Sequence, residues 1–179
     1  MALRKASSYS KKRARAFTRI SKRKSKAYIK TVPQNKVVKF HIGNQKDFNL
    51  GNHKYVVECV AEEAVQIRDN ALEAARMYIT KVMDTSALGQ YYLGIKVFPH
   101  HFLRENKTAA GAGADRLSSG MTHSYGIVIG RAARVNPGQT IFMVSCPNDR
   151  IARIARDTLN KIRAKLPCKS RIVFQQISD

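Results

Sequence analysis

From Lys36 onward the chain alternates, with Val38, Phe40 and Ile42 on one side and Lys39 and His41 on the other, which is the period of a half-buried strand. A second run of β-formers spans Tyr55 to Val60, and the Gly and Asn residues between 43 and 52 predict a connecting turn, so the two strands are expected to pair. The period then lengthens. Val65, Leu72, Ala75, Ile79, Val82 and Met83 gather on one side of a helix predicted over 61–83, and Glu62, Glu63 and Lys81 match its dipole. Tyr91, Leu93, Ile95 and Val97 mark a strand that Pro99 closes. Strands over 124–135 and 139–145 flank Asn136-Pro137-Gly138, a turn sequence that predicts a hairpin. The last helix, 148–166, carries the stripe Ile151, Ile154, Ala155, Leu159, Ile162 and Leu166 and stops at Pro167. A strand over 171–176 follows. Strands interleaved with two helices argue an α+β fold, an antiparallel or mixed sheet with two helices packed on it.

Two regions escape these periods. Residues 1–30 hold Ser, Arg and Lys with few apolar side chains, and no Asp or Glu occurs before Asp47. Such a stretch cannot bury a core of its own and is expected to be a basic arm ordered against a partner, ahead of a single domain over 31–179. The other region is 104–121, RENKTAAGAGADRLSSGM, a long loop of small residues. Gly111 and Gly113 suggest a phosphate-binding loop, but no Gly-Lys-Ser/Thr follows, and Arg116 stands where a dinucleotide fingerprint needs its third Gly. Small residues still let a backbone approach a partner closely, and Arg104, Lys107 and Arg116 supply cations beside it.

Charge names the class of partner. Lys and Arg total 33 against 12 Asp and Glu, a formal net charge of +21, with a pI near 10.4. A compact chain this cationic repels itself unless a polyanion surrounds it, and nucleic acid is the expected one. An amphipathic membrane binder would carry Trp or Phe at helical spacing in its basic segment; Trp is absent and that segment is polar. The arm also resembles a transit peptide in composition, but its Lys/Arg density exceeds what amphipathic spacing needs. Candidate nucleic-acid contacts in the arm are Arg4, Lys5, Tyr9, Lys11, Lys12, Arg13, Arg15, Arg19, Lys22, Arg23, Lys24, Lys26 and Tyr28, cations for phosphates and rings for unpaired bases. A second basic face is expected from Arg150, Arg153, Arg156, Lys161, Arg163 and Lys165, opposite the apolar stripe of the last helix. Cys59, Cys146 and Cys168 form no Cys-x-x-Cys pair and read as buried thiols of a reducing compartment. The histidines, His100 and His101 among them, show no metal-ligand spacing, and neither metal nor cofactor is expected.

Four stretches are specific enough to carry a resemblance: Ala71-Leu72-Glu73-Ala74-Ala75-Arg76, Ile95-Lys96-Val97-Phe98-Pro99-His100, Ala112-Gly113-Ala114-Asp115-Arg116-Leu117 with Gly120-Met121, and Lys165-Leu166-Pro167. With these the chain resembles the universal large-subunit ribosomal protein family L-sixteen in its archaeal and eukaryotic "ten-e" form, an archaeal member being favoured. The resemblance implies an α/β-hammerhead-like domain among 23S-type rRNA helices, with no enzymatic activity and no homo-oligomer. It implies that 104–121 extends toward the peptidyl-transferase region and the tRNA acceptor arm, where Arg104, Lys107, Gly111, Gly113, Asp115, Arg116 and Gly120 would lie. It further implies 5S rRNA and neighbouring ribosomal proteins as partners. From the residues alone, a nucleic-acid-modifying enzyme using His100 or His101 and a chromatin-like duplex binder are the alternatives.

Overall fold

The computed structural model describes residues 7–10, 32–105, 120–123 and 126–177. The elements are a single helical turn α1 (Ser7–Ser10), strand β1 (His41–Gly43), the short helix α2 (Gln45–Asn49), β2 (Tyr55–Ala61), β3 (Val65–Arg68), α3 (Asp69–Ala87), β4 (Tyr92–Ile95), β5 (His101–Glu105), β6 (Ile127–Val135), β7 (Thr140–Cys146), α4 (Asp149–Ile162) and β8 (Ser170–Gln176). The fold is α+β, as its pattern implies, but its strands divide between two antiparallel sheets. One is five-stranded in the order β1-β4-β7-β2-β8; the other is three-stranded in the order β3-β6-β5.

The division occurs at one place. β2 runs into β3 through residues 62–64, and β6 runs into β7 through 136–139, so both chains leave one sheet and enter the other side by side. The two crossings are tied by backbone hydrogen bonds, Ala61 N to Gln139 O at 3.0 Å and Gly138 N to Ala61 O at 2.8 Å. The register of β2 on β7 slips between Cys59 and Val60, and this bulge turns the ribbon out of the first sheet. Asn136-Pro137-Gly138 is therefore a turn, with Gly138 at φ +83°, but not a hairpin: β6 pairs with β3 and β5, and β7 with β2 and β4.

Three further expectations are corrected. The strand at 41–43 does not pair with 55–61 but with β4, His41 opposite Gly94 and Gly43 opposite Tyr92. The cause is local: the link is not a plain turn but holds α2, whose Asn44 side chain accepts from Asp47 N at 3.1 Å, and Asn44 N donates to Tyr91 O at 2.8 Å. Gly43 sits at φ +90°, and a Cβ there would fall 2.1 Å from Tyr91 O, so only glycine permits the approach. Next, residues 61–68 are not helical. β2 extends to Ala61 and β3 pairs with β6, Val65 opposite Val135 and Ile67 opposite Ala133, so cross-strand pairing overrides the helical spacing of Val65. Asp69, rather than Glu62 or Glu63, is the acid in the first turn of α3. Its buried carboxylate accepts from Lys36 N at 3.2 Å and Asn70 N at 2.9 Å, fastening the incoming chain to the helix start. Finally, 101–105 forms β5, which places Arg104 in a strand opposite Val128 and not in a loop.

The helices behave as their stripes indicate. Leu72, Ala75, Ile79 and Met83 of α3, with Ile151, Ala155, Leu159 and Ile162 of α4, join Val57, Leu93, Phe142 and Val144 of the large sheet in one buried cluster, while Ile154 is only partly buried against it. α3 and α4 pack on each other, α4 covering β2, β7 and β8 while α3 lies over β3 and β6. The cysteines are free and buried, and burial pushes the thiols of Cys146 to about 12 and Cys168 to about 11, so neither is a thiolate at neutral pH.

Leu72→Ala or Leu159→Ala is expected to cost about 2 to 5 kcal/mol of unfolding free energy, and Ile154→Ala clearly less, read from denaturant midpoints at constant slope. A second expectation concerns pH. His53 is buried with Nδ1 2.7 Å from Ser145 Oγ, and burial lowers its pKa from the ordinary 6.5 against the opposing pull of Asp47. His101 is lowered by burial, then by Arg134 and His100. The unfolded chain thus binds these protons first, so their stabilising share is intact above 6.5 and is lost as pH falls below it. Denaturation between about pH 8 and pH 5.5 should show that decline, and His53→Gln should flatten it.

Candidate nucleic-acid interface

The basic face is built by α4. Pro147 and Asn148 lead into a helix that starts at Asp149, and the spacing of its apolar residues turns every Arg and Lys away from the sheet. Arg150, Arg153, Arg156 and Lys161 are exposed on it, and Arg163 and Lys165, in the 3-10 turn Arg163–Lys165 that follows, are exposed as well. Of the acids on this face, Asp149 pairs with Arg153 at 2.7 Å, a surface pair that contributes little to stability. Among the described residues Arg156 has no ion-pair partner. Lys165 lies with Nζ 5.7 Å from the Tyr78 ring centre, which fixes its direction beside the joint of the two helices. All six cations of the predicted second face are thus exposed, four on α4 and two in the turn that ends it.

A smaller basic depression lies on the three-stranded sheet and has no single-segment signature. Lys36, Arg68 and Arg131 line it with Asp69, Asn70, Leu103, Ile129 and Gly130. Arg131 donates from Nε to Pro33 O at 2.7 Å and stands over the Phe102 ring at 5.2 Å; Arg68 stands over Tyr9 at 5.4 Å. These cations come one at a time from different elements, so no run in the sequence announces them. Only the pairing of β3 with β6 assembles them.

Tyr9 departs from its expected role. Its ring is buried against Leu103, Ala132 and Ile129, its hydroxyl donates to Glu105 Oε2 at 2.9 Å, and its carbonyl accepts from Gln66 Nε2 at 3.1 Å. A ring packed in this way has no face left for a base, so Tyr9 is an anchor holding α1 to β5 and β6. Pro33, one residue after the described chain resumes at Val32, is held by Arg131, next to Ala132 in β6. Arg4, Lys5, Lys11, Lys12, Arg13, Arg15, Arg19, Lys22, Arg23, Lys24, Lys26 and Tyr28 lie outside the described residues, as do Lys107, Gly111, Gly113, Asp115 and Arg116. Arg104 is half-buried in β5, and Gly120 is exposed at φ +65° at the head of a 3-10 turn.

Among the described residues the histidines stand apart from one another in their contacts. His100 is exposed and rests on Phe98, ring centres 4.5 Å apart, while His41 Nδ1 lies 2.7 Å from Tyr92 Oη. Among the described residues no cluster of His, Cys, Asp or Glu can hold a metal ion, and no helix is long and apolar enough to cross a membrane.

The family model for ribosomal protein L16p/L10e matches residues 16–173. The chain belongs to that family. It is a structural constituent of the large ribosomal subunit, not an enzyme, which sets aside the histidine-based alternative. Relatives with the name large ribosomal subunit protein uL16 include that of Staphylothermus marinus, 46% identical over 84% of this chain and 84% of its own. The protein of Hyperthermus butylicus is 42% identical over 92% and 88%, and that of Methanococcus aeolicus 41% over 97% and 95%. These relatives are archaeal, in line with the form of the family the motifs resemble.

Proposed function

We propose that the chain binds 23S-type rRNA through two surfaces, a basic arm over 1–30 and the α4 face of a domain over 31–179, and that 104–121 helps position tRNA near the peptidyl-transferase region. The observation that carries the reading is the α4 face: four cations held outward by a well-packed helix and two more in the turn that ends it, opposed only by Asp149, which Arg153 occupies, and Asp157. An excess of +21 spread over such surfaces matches a surrounding polyanion and has no use in a free globule. The depression at Lys36, Arg68 and Arg131 adds phosphate contacts from the other sheet. Contacts with 5S rRNA and with neighbouring ribosomal proteins belong to the same reading.

Affinity for purified large-subunit rRNA should fall steeply with salt, its log-log slope steepening by roughly 0.7 to 0.9 for each phosphate neutralised. Replacing Arg150, Arg156 and Lys161 together by Gln should make that slope shallower by about 2 if each meets one phosphate. A nearly flat response in the native chain would falsify the proposal. Deleting 109–114, which contributes no apolar period, should leave cooperative unfolding in place and lower tRNA occupancy in reconstituted subunits. Unchanged occupancy would remove the tRNA role and leave the rRNA role standing.

A further inference from the structure

Between α4 and β8 runs an open groove lined by Asp149, Arg153, Arg156, Asp157, Asn160 and Phe174. Residues 153, 156, 157 and 160 recur at helical spacing, so they form one wall, and Phe174 of β8 forms the other. Phe174 is 41% exposed. Its ring leans on Tyr55, with centres 5.8 Å apart and planes tilted by 39°, so the ring is braced from one side and open on the other. Among the described residues β8 is the edge of its sheet, and no further strand pairs beyond it. In the core the same residue type is handled oppositely, Phe142 being fully buried.

We infer that this groove seats one unpaired nucleotide of RNA, its base stacked on Phe174 and its phosphate on Arg156. The inference deepens the rRNA-binding reading and rests on it. Charge selects RNA over a peptide as the occupant, because the wall belongs to the helix that turns Arg150, Arg153, Arg156 and Lys161 outward, and Arg156 has no ion-pair partner among the described residues. Stacking on a braced ring suits a single strand, whose bases expose their faces, and not a duplex, whose bases cover one another. Asp157 fits the same picture. A carboxylate only accepts hydrogen bonds and would repel a phosphate, so it belongs beside the N–H donors of the base edge, with Asn160 next to it.

The chain has no Trp, so Phe174→Trp in the full-length protein introduces a single reporter at the platform. Titration with a mixed-sequence single-stranded RNA of about ten nucleotides, long enough to cross one binding site, should quench its emission saturably. The matching duplex should quench it much less. Phe174→Ala should weaken binding of the single strand roughly tenfold, Phe174→Tyr should retain it, and neither should alter the salt slope, since a ring neutralises no phosphate. Arg156→Gln should make the slope shallower. Equal quenching by duplex and single strand, or Phe174→Ala binding like the native chain while salt-dependent rRNA binding persists, would overturn the groove alone. Salt-independent binding by the native chain would overturn the broader reading instead.

Discussion

The double crossing between sheets governs the rest of the architecture. Two neighbouring stretches, β2 to β3 and β6 to β7, change sheets together, and the bonds between Ala61 and residues 138–139 keep them in step. If either crossing slipped by one residue, every side chain beyond it would swap faces, because strand side chains alternate with a period of two. Val57 and Val144 on one side of the crossing and Ile67, Ala133 and Val135 on the other would then turn away from the common core. That core lies beneath α3 and α4, so the direction of the basic helix face depends on the crossing as well.

Segments whose burial repeats along one element were legible from the chain alone. The stripe of α4 and its opposite cations follow from 3.6-residue spacing, and the structure realises both. The run Tyr55–Val60 was equally clear because it is central, with β7 on one side and β8 on the other. Less legible was anything decided between elements. Val65 sits at a spacing that suits the helix of Leu72 and Ala75, and nothing local shows that Val135 claims it as a strand partner. Likewise Asn136-Pro137-Gly138 reads as a hairpin because turn chemistry reports a reversal of direction but not whether the flanking strands then share a sheet.

The nucleic-acid surface divides the same way. Cations in a run or on one helix face are visible in the sequence, whereas Lys36, Arg68 and Arg131 are isolated there and meet only in the fold. Phe174 carried no signal beyond its place in a β-forming run; its exposure follows from β8 lying at the sheet edge. Tyr9 shows the converse. An aromatic ring among Arg and Lys suggests stacking on a base, yet burial against Leu103 and Ala132 is the use the fold makes of it.

Tyr9 packs on Ala132 and Pro33 is held by Arg131, so two stretches that lie outside the strands rest on adjacent residues of β6. Neighbouring residues of a strand point to opposite faces, so the two holds grip the small sheet from both of its sides. A change at this one place in β6 would therefore loosen both holds together, although neither lies in a strand.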